Sequence, residues 1–258
     1  MRTERCFSTP LYCPRRVRTP RLPMKNAWKI VTDAFRNWRT AAKYLGVGSG
    51  VRRGAIADRR ALAEFMDSRA SHVAQTALYG YLKTRSGTRF PQLFEHPEYL
   101  KSINIAKWQV WLAALSDISV YAGGLIHRGR GTSADDVGRI VSAIVNDILA
   151  RTGIPDEAGP DFATQTERVR ARIGSCDWAS IGDDESAFTA SPAALIDWAP
   201  VVDEFKKEDD QIVRNSVRFR WIEVRRSLRA NLNVEDLIAA ESTLVECDTE
   251  AVDSAPSQ

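Results

Sequence analysis

Cysteine and histidine are scarce in this chain, and neither is spaced for a disulfide framework or a metal site. No two cysteines form a C-x-x-C pair, and the histidines are scattered. The residues concerned are Cys6, Cys13, Cys176, Cys247, His72, His96 and His127. Cysteines without such spacing are typical of proteins in reducing compartments, so we expect a cytoplasmic protein without disulfide bonds. The same scatter predicts no bound metal and no cofactor.

A hydrophobic run suited to a lipid-exposed span is also lacking. The most apolar window, residues 105–125, contains polar side chains throughout: Lys107, Gln109, Ser116, Asp117 and Ser119. A transmembrane helix needs about 20 predominantly apolar residues. The window therefore predicts a helix in the core of a soluble protein.

Nucleotide-binding and hydrolase motifs are missing as well. There is no G-x-x-x-x-G-K-[ST] loop, and the segment around Ser49 fails the G-x-S-x-G pattern because a valine replaces the first glycine. If the protein is a hydrolase, its best catalytic candidates are Ser68 or Ser71 with His72. Positions 68 and 72 lie one helical turn apart, and Asp67 is nearby. Because nothing indicates an oxyanion hole, the alternative is a surface histidine without a catalytic role.

Strand patterns are absent too, since β-branched residues recur at helical spacing. We therefore predict an all-α fold with roughly seven to eight helices in a compact bundle around a central tryptophan-rich helix. One long helix is expected after Asp58, its N-cap. The central helix is expected from about Glu98, and its apolar residues cover most of its circumference.

Glycine, serine and proline predict the remaining helix boundaries. Four glycines between residues 123 and 131 indicate a flexible loop after the central helix. Ser133 and Asp136 form a capping box, and Ser191 is expected to cap a short helix. Pro200 is expected to start the last long helix. Its predicted buried side comprises Phe205, Ile212, Val213, Val217, Trp221, Val224 and Leu228.

The net charge of +3 comes from one end of the chain. Residues 1–23 hold six arginines and one glutamate, so the remainder is close to neutral. This segment is expected to be a disordered basic arm, or to precede a start at Met24. Residues 24–247 are expected to form a single α-helical domain, in which 154–160 is the best candidate for a subdomain boundary. Residues 248–258 are expected to be a disordered tail.

Residues 24–45 predict a basic amphipathic helix that carries Trp28 and Trp38. Such a helix can lie on an anionic membrane surface or in the groove of a partner. The alternative is that its apolar stripe packs on the core of the domain while its charges face water.

A polar stripe runs opposite the apolar face of the helix after Asp58. The candidates for binding an anionic group or a partner are Gln75, Tyr79, Lys83, Arg85 and Arg89. Arginine and lysine suit carboxylates and phosphates. The alternative is a solvated face whose basic end complements the helix dipole. A second basic stripe lies between residues 213 and 229, where pairing with nearby acidic segments is expected rather than contact with nucleic acid.

Two runs carry a resemblance: ASHVAQTALYGYLKTRSGTRFPQLF and SINIAKWQVWLAALSDISVYAGGL. Together they resemble a group of helical proteins from alphaproteobacteria that are often labelled esterase, over about residues 28–232. The resemblance implies ester hydrolysis, although no hydrolase motif accompanies it. The central helix and the helix after it also resemble the ubiquinol–cytochrome c chaperone family, which implies a role in assembling a respiratory complex.

These observations favour a non-enzymatic, soluble helical protein that binds a protein partner as an adaptor, regulator or assembly factor. The alternatives are an esterase, as the resemblance implies, and a module that binds phosphate or nucleic acid through the arm or the 214–229 arginines.

Overall fold

The computed structural model describes residues 56–130 and 132–253 of the chain. The predicted arm 1–23 and the predicted helix 24–45 lie outside the described residues, together with the end of the predicted tail. The expectation that 24–45 contacts a membrane or a partner therefore stays a prediction.

The described residues form an all-α bundle, which confirms the predicted fold class. Two single turns of 3₁₀ helix, Gly87–Arg89 and Trp178–Ser180, lie between the α-helices. The α-helices are α1 (Arg59–Ser86), α2 (Phe90–Leu93), α3 (Pro97–Arg130), α4 (Ala134–Thr152), α5 (Phe162–Gly174), α6 (Ala190–Trp198), α7 (Asp203–Asn231) and α8 (Val234–Asp253). No strand occurs within the described ranges, where Ile56 and Leu232 form an isolated parallel bridge.

Helix α3 lies at the centre of the bundle and contacts α1, α4, α5, α6 and α8. Because neighbours surround it, apolar residues on nearly all its sides are buried, as the sequence predicts. It is long and apolar enough to cross a membrane, but 83% of its most apolar window is buried inside the bundle. Burial by the other helices accounts for its apolar composition.

Local capping follows the sequence closely at α1 and α4. The Asp58 carboxylate accepts a hydrogen bond from the Ala61 amide at 2.8 Å. Ser133 accepts one from the Asp136 amide at 3.1 Å, and the predicted capping box is thus confirmed on its serine side. Gly153 ends α4 with a φ of +64°, a conformation that favours glycine.

The predicted loop at residues 123–131 is wrong, because α3 continues through Gly123, Gly124 and Gly129 to Arg130. These glycines let neighbouring side chains approach the helix backbone. A Cβ atom on Gly123 would lie 2.2 Å from a ring carbon of Trp178, and one on Gly124 would lie 2.5 Å from Ile181. The glycines therefore serve packing at these positions and do not end the helix.

Two further boundaries differ from prediction. Helix α6 begins at Ala190, so Ser191 lies inside its first turn and is not the N-cap. The amides of Ala190 and Ser191 instead donate to Asp117 of α3, at 3.0 and 2.8 Å. Helix α7 begins at Asp203 rather than Pro200, and the acidic stretch after it forms α8. Helix α8 extends to Asp253, into the segment assigned to the tail.

The buried side of α7 was predicted correctly at five positions and wrongly at two. Val213, Val217, Trp221, Val224 and Leu228 are buried. Phe205 and Ile212 are 45% and 72% exposed. Ile212 lies on the side of the helix that points away from α1 and α6, the helices that α7 packs against. Phe205 is partly covered, since Arg85 of α1 lies over its ring.

Candidate functional site

The serine and histidine candidates for ester hydrolysis lie half-buried on α1. Burial lowers the pKa of His72, and the nearby charges of Arg69 and Arg220 lower it further. One carboxylate oxygen of Asp67 accepts a hydrogen bond from the Trp111 indole at 3.1 Å, which directs that oxygen toward α3. Ser68 lies one helical turn before His72, and Ser71 directly precedes it.

The structure distributes the predicted anion-binding stripe among different environments. Tyr79 is half-buried, with its ring centroid 6.3 Å from that of Phe94. The Arg85 guanidinium forms a bidentate ion pair with Asp209 of α7. It also lies over the Phe205 ring, 4.6 Å from the ring centroid. Gln75, Lys83 and Arg89 are exposed. The Arg85 guanidinium is thus paired with a carboxylate of this chain.

A buried polar network that sequence reasoning missed lies between α3, α5, α6 and α7. We call it the Asp117 network; it comprises Asp117, Arg172, Ser191 and Trp221. The Asp117 carboxylate is fully buried and accepts hydrogen bonds from the Arg172 guanidinium at 2.7 Å and the Ser191 hydroxyl at 2.6 Å. The Trp221 indole donates to the same hydroxyl at 3.0 Å. Asp117 of α3 is thereby bonded directly to α5 and α6, and Ser191 extends the network to α7.

Burial raises the pKa of Asp117, while Arg172 and Ser191 oppose that rise. The network is closed, since Ser191 is fully buried and its hydroxyl is held by an acid and an indole. It therefore fits a structural role, with no room for an ester beside the hydroxyl. An available sequence signal was the single acidic residue in an apolar window, because a buried charge requires partners.

A second polar cluster holds the loop before α6 against α3 and α7. The Tyr121 hydroxyl donates to Asp183 at 2.5 Å, and Arg229 forms an ion pair with the same carboxylate. Although burial alone would raise it, the pKa of Asp183 is lowered by Tyr121 and Arg229. Arg214 and Arg226 also form ion pairs within α7, with Asp210 and Glu223. Much of the second basic stripe thus contacts acidic groups of this chain.

A cleft of about 450 Å³ opens beside Arg172, between α3, α5 and α6. Its wall carries Arg168 and Asp197, groups of opposite charge, together with the buried amide of Gln109. The Arg172 guanidinium at this cleft is already bonded to the Asp117 carboxylate. Elsewhere in the described ranges, no group of three or more histidine, cysteine, aspartate or glutamate side chains could hold a metal ion.

The most distinctive surface of the described residues is an apolar row on α7. It consists of Phe205, Ile212, Phe219 and Ile222, which we call the α7 row. Ile212 and Phe219 are 72% and 73% exposed, and Val202, directly before the helix, is also exposed. The seven-residue spacing from 205 to 219 places three of the four on one side of the helix. Several large apolar side chains exposed along one helix are more than the single scattered ones that are normal on a soluble protein, and they indicate an interaction surface.

Charge is distributed unevenly along the same helix. The first quarter, residues 203–210, carries five carboxylates and two lysines. The last part, residues 218–229, carries five arginines and one glutamate. The α7 row thus runs from an acidic end to a basic end, with Ile212 near its middle.

Comparisons of the chain with protein-family models, with curated proteins and with solved structures gave no match. The resemblances to the esterase-labelled proteins and to the ubiquinol–cytochrome c chaperones therefore stay predictions.

Proposed function

We propose that this chain is a non-enzymatic helical protein that binds a protein partner, and that the outer face of α7 is the binding surface. The observation that carries the proposal is the α7 row. Its large side chains are exposed on a helix whose opposite side is fully used in the core. Burying this row against a partner would remove apolar surface from water.

The surroundings of the row support protein binding over catalysis. Aromatic residues and arginine are enriched at the centres of protein interfaces, and the row places two phenylalanines near several arginines. By contrast, the buried serine of the Asp117 network is closed to substrate, and the predicted anion-binding residues of α1 and of the turn after it do not share one environment.

The test is site-specific photo-cross-linking. The full chain would carry a benzoylphenylalanine at position 219 or, as a matched control, at position 154. Ile154 has the same exposure as Phe219, 73%, but lies in the loop between α4 and α5. Irradiation in a lysate of the native host should give a discrete cross-linked protein from position 219 only. Equal patterns from both positions would contradict the proposal.

Ester hydrolysis, the function that the resemblance implies, is tested separately. We expect purified chain to hydrolyse p-nitrophenyl acetate no faster than His72→Ala or than buffer with an inert protein. Turnover well above that background, lost in His72→Ala but retained in His96→Ala, would place an active site on α1 and overturn the non-enzymatic proposal.

A further inference from the structure

The α7 row has an internal symmetry that points to a specific partner. Ile212 lies midway in sequence between Phe205 and Phe219. When two such helices run antiparallel and cross near Ile212, each Phe205 comes close to Phe219 of the other helix. A two-fold axis therefore matches the apolar groups of one copy to those of a second copy.

The charges along α7 have the matching arrangement. In an antiparallel pair centred at residue 212, the acidic segment 203–210 of each copy lies beside residues 214–221 of the other, which carry three arginines and no carboxylate. A parallel pair would instead place like charges together, which is unfavourable. Charge thus selects one orientation, while the apolar row supplies buried area.

We propose that the partner of the α7 row is a second copy of this chain, held in an antiparallel, two-fold symmetric contact centred near Ile212. This inference rests on the proposed function and specifies it. A two-fold contact centred at residue 212 can pair residues 203–221 of the two copies, a helix length of about 27 Å at 1.5 Å per residue. The interface is isologous, and each substitution in it acts twice.

The first experiment measures self-association of the full chain by sedimentation equilibrium. The wild type should dimerise, and Ile212→Glu should raise the dimer dissociation constant at least about tenfold, because two carboxylates meet near the axis. Ile154→Glu places the same charge on an equally exposed isoleucine elsewhere and should leave the constant unchanged. Circular dichroism of each variant would show that the helical fold is retained. A monomeric wild type, or equal constants for both variants, would overturn the inference.

The second experiment determines orientation. In a background with all native cysteines replaced by serine, chains carrying Phe205→Cys or Phe219→Cys would be oxidised separately and as a mixture. The antiparallel contact should give disulfide-linked dimers mainly in the mixture, between chains of the two kinds. Efficient dimers of each variant alone would indicate a parallel pair and would overturn the inference.

The two proposals can fail separately. If the chain is monomeric but the photo-reactive group at position 219 captures a different protein, the proposed binding surface is supported and the proposed dimer is wrong. A cross-link from position 219 to residues 24–45 of the same chain would mean that this segment covers the row, and it would overturn the inference. If position 219 captures neither a second copy nor another protein, both proposals fail.

Discussion

Asp117 of α3 bonds directly to both α5 and α6. Its carboxylate accepts hydrogen bonds from Arg172, from two amides at the start of α6 and from Ser191. A buried carboxylate of this kind is tolerated because its donors replace water. Asp117, whose place in an apolar window argues against a membrane span, thus also fixes how α5 and α6 pack on α3.

Asp117→Asn should therefore lower the free energy of unfolding by about 3–5 kcal/mol, because it removes the charge that Arg172 faces and directs an amide N–H toward existing donors. Urea unfolding followed by circular dichroism would measure the change. Asp147→Asn, on the exposed side of α4, is the control and should stay within about 0.5 kcal/mol of the wild type. Similar losses in the two variants would contradict the role assigned to Asp117.

His72 should make stability depend on pH. Its pKa in the folded chain is lowered by burial and by Arg69 and Arg220, whereas in the unfolded chain it is about 6.5. Between the two values the unfolded state binds more protons than the folded state. The free energy of unfolding should therefore fall as the pH is lowered through about 6.5 toward the folded pKa.

Unfolding of the wild type and of His72→Gln in urea at pH 7.5 and pH 5.5 would test this. The wild type should lose more stability than His72→Gln on acidification. His96→Gln alters an exposed histidine before α3 and should keep the wild-type dependence. An unchanged dependence in His72→Gln would assign the effect to other groups.

At the scale of helices, sequence patterns predicted which helices exist and which of their faces are buried better than they predicted where each helix begins and ends. Apolar spacing and local caps specified α1 and α4, because their signals lie within a few residues of each other. The start of α6 could not be predicted in this way, since its first amides are satisfied by Asp117, distant in sequence. The exposed side of α7 was mistaken for core because its apolar residues cover more than one side, and periodicity alone does not reveal which side lacks a neighbour.

The glycines of α3 illustrate the same limit and give a prediction. Gly123 and Gly138 both face Trp178, but at very different distances: 2.2 Å and 3.6 Å from an added Cβ. Gly123→Ala should lower the free energy of unfolding by about 1–3 kcal/mol or more through overpacking. Gly138→Ala, in the second turn of α4, should raise it by about 0.5–1 kcal/mol, because alanine favours the helix and meets only ordinary contact. Thermal unfolding would compare them, and a neutral Gly123→Ala would refute the close approach.

At the scale of the whole molecule, the question is whether the residues before and after the predicted subdomain boundary at 154–160 have separate cores. Buried apolar residues form one cluster that includes Ile148 before this loop and Phe162 after it. Ala158, within the loop, is itself fully buried and accepts a hydrogen bond from Gln109 through its carbonyl. Helix α3 contacts elements on both sides. The described residues before and after the loop therefore share one core.

This continuity predicts a single cooperative unfolding transition, since opening either side would expose apolar surface of the other. Tryptophan fluorescence and far-ultraviolet circular dichroism should give the same urea midpoint, because Trp111 of α3, Trp178 before α6 and Trp221 of α7 report on different parts of that core. Replacing Ile144 of α4 by alanine should shift both midpoints together to lower urea, by the loss of about 2–5 kcal/mol expected for a buried isoleucine. If the fluorescence and dichroism midpoints separate in this variant, the residues before and after 154–160 unfold independently, and the loop is a domain boundary after all.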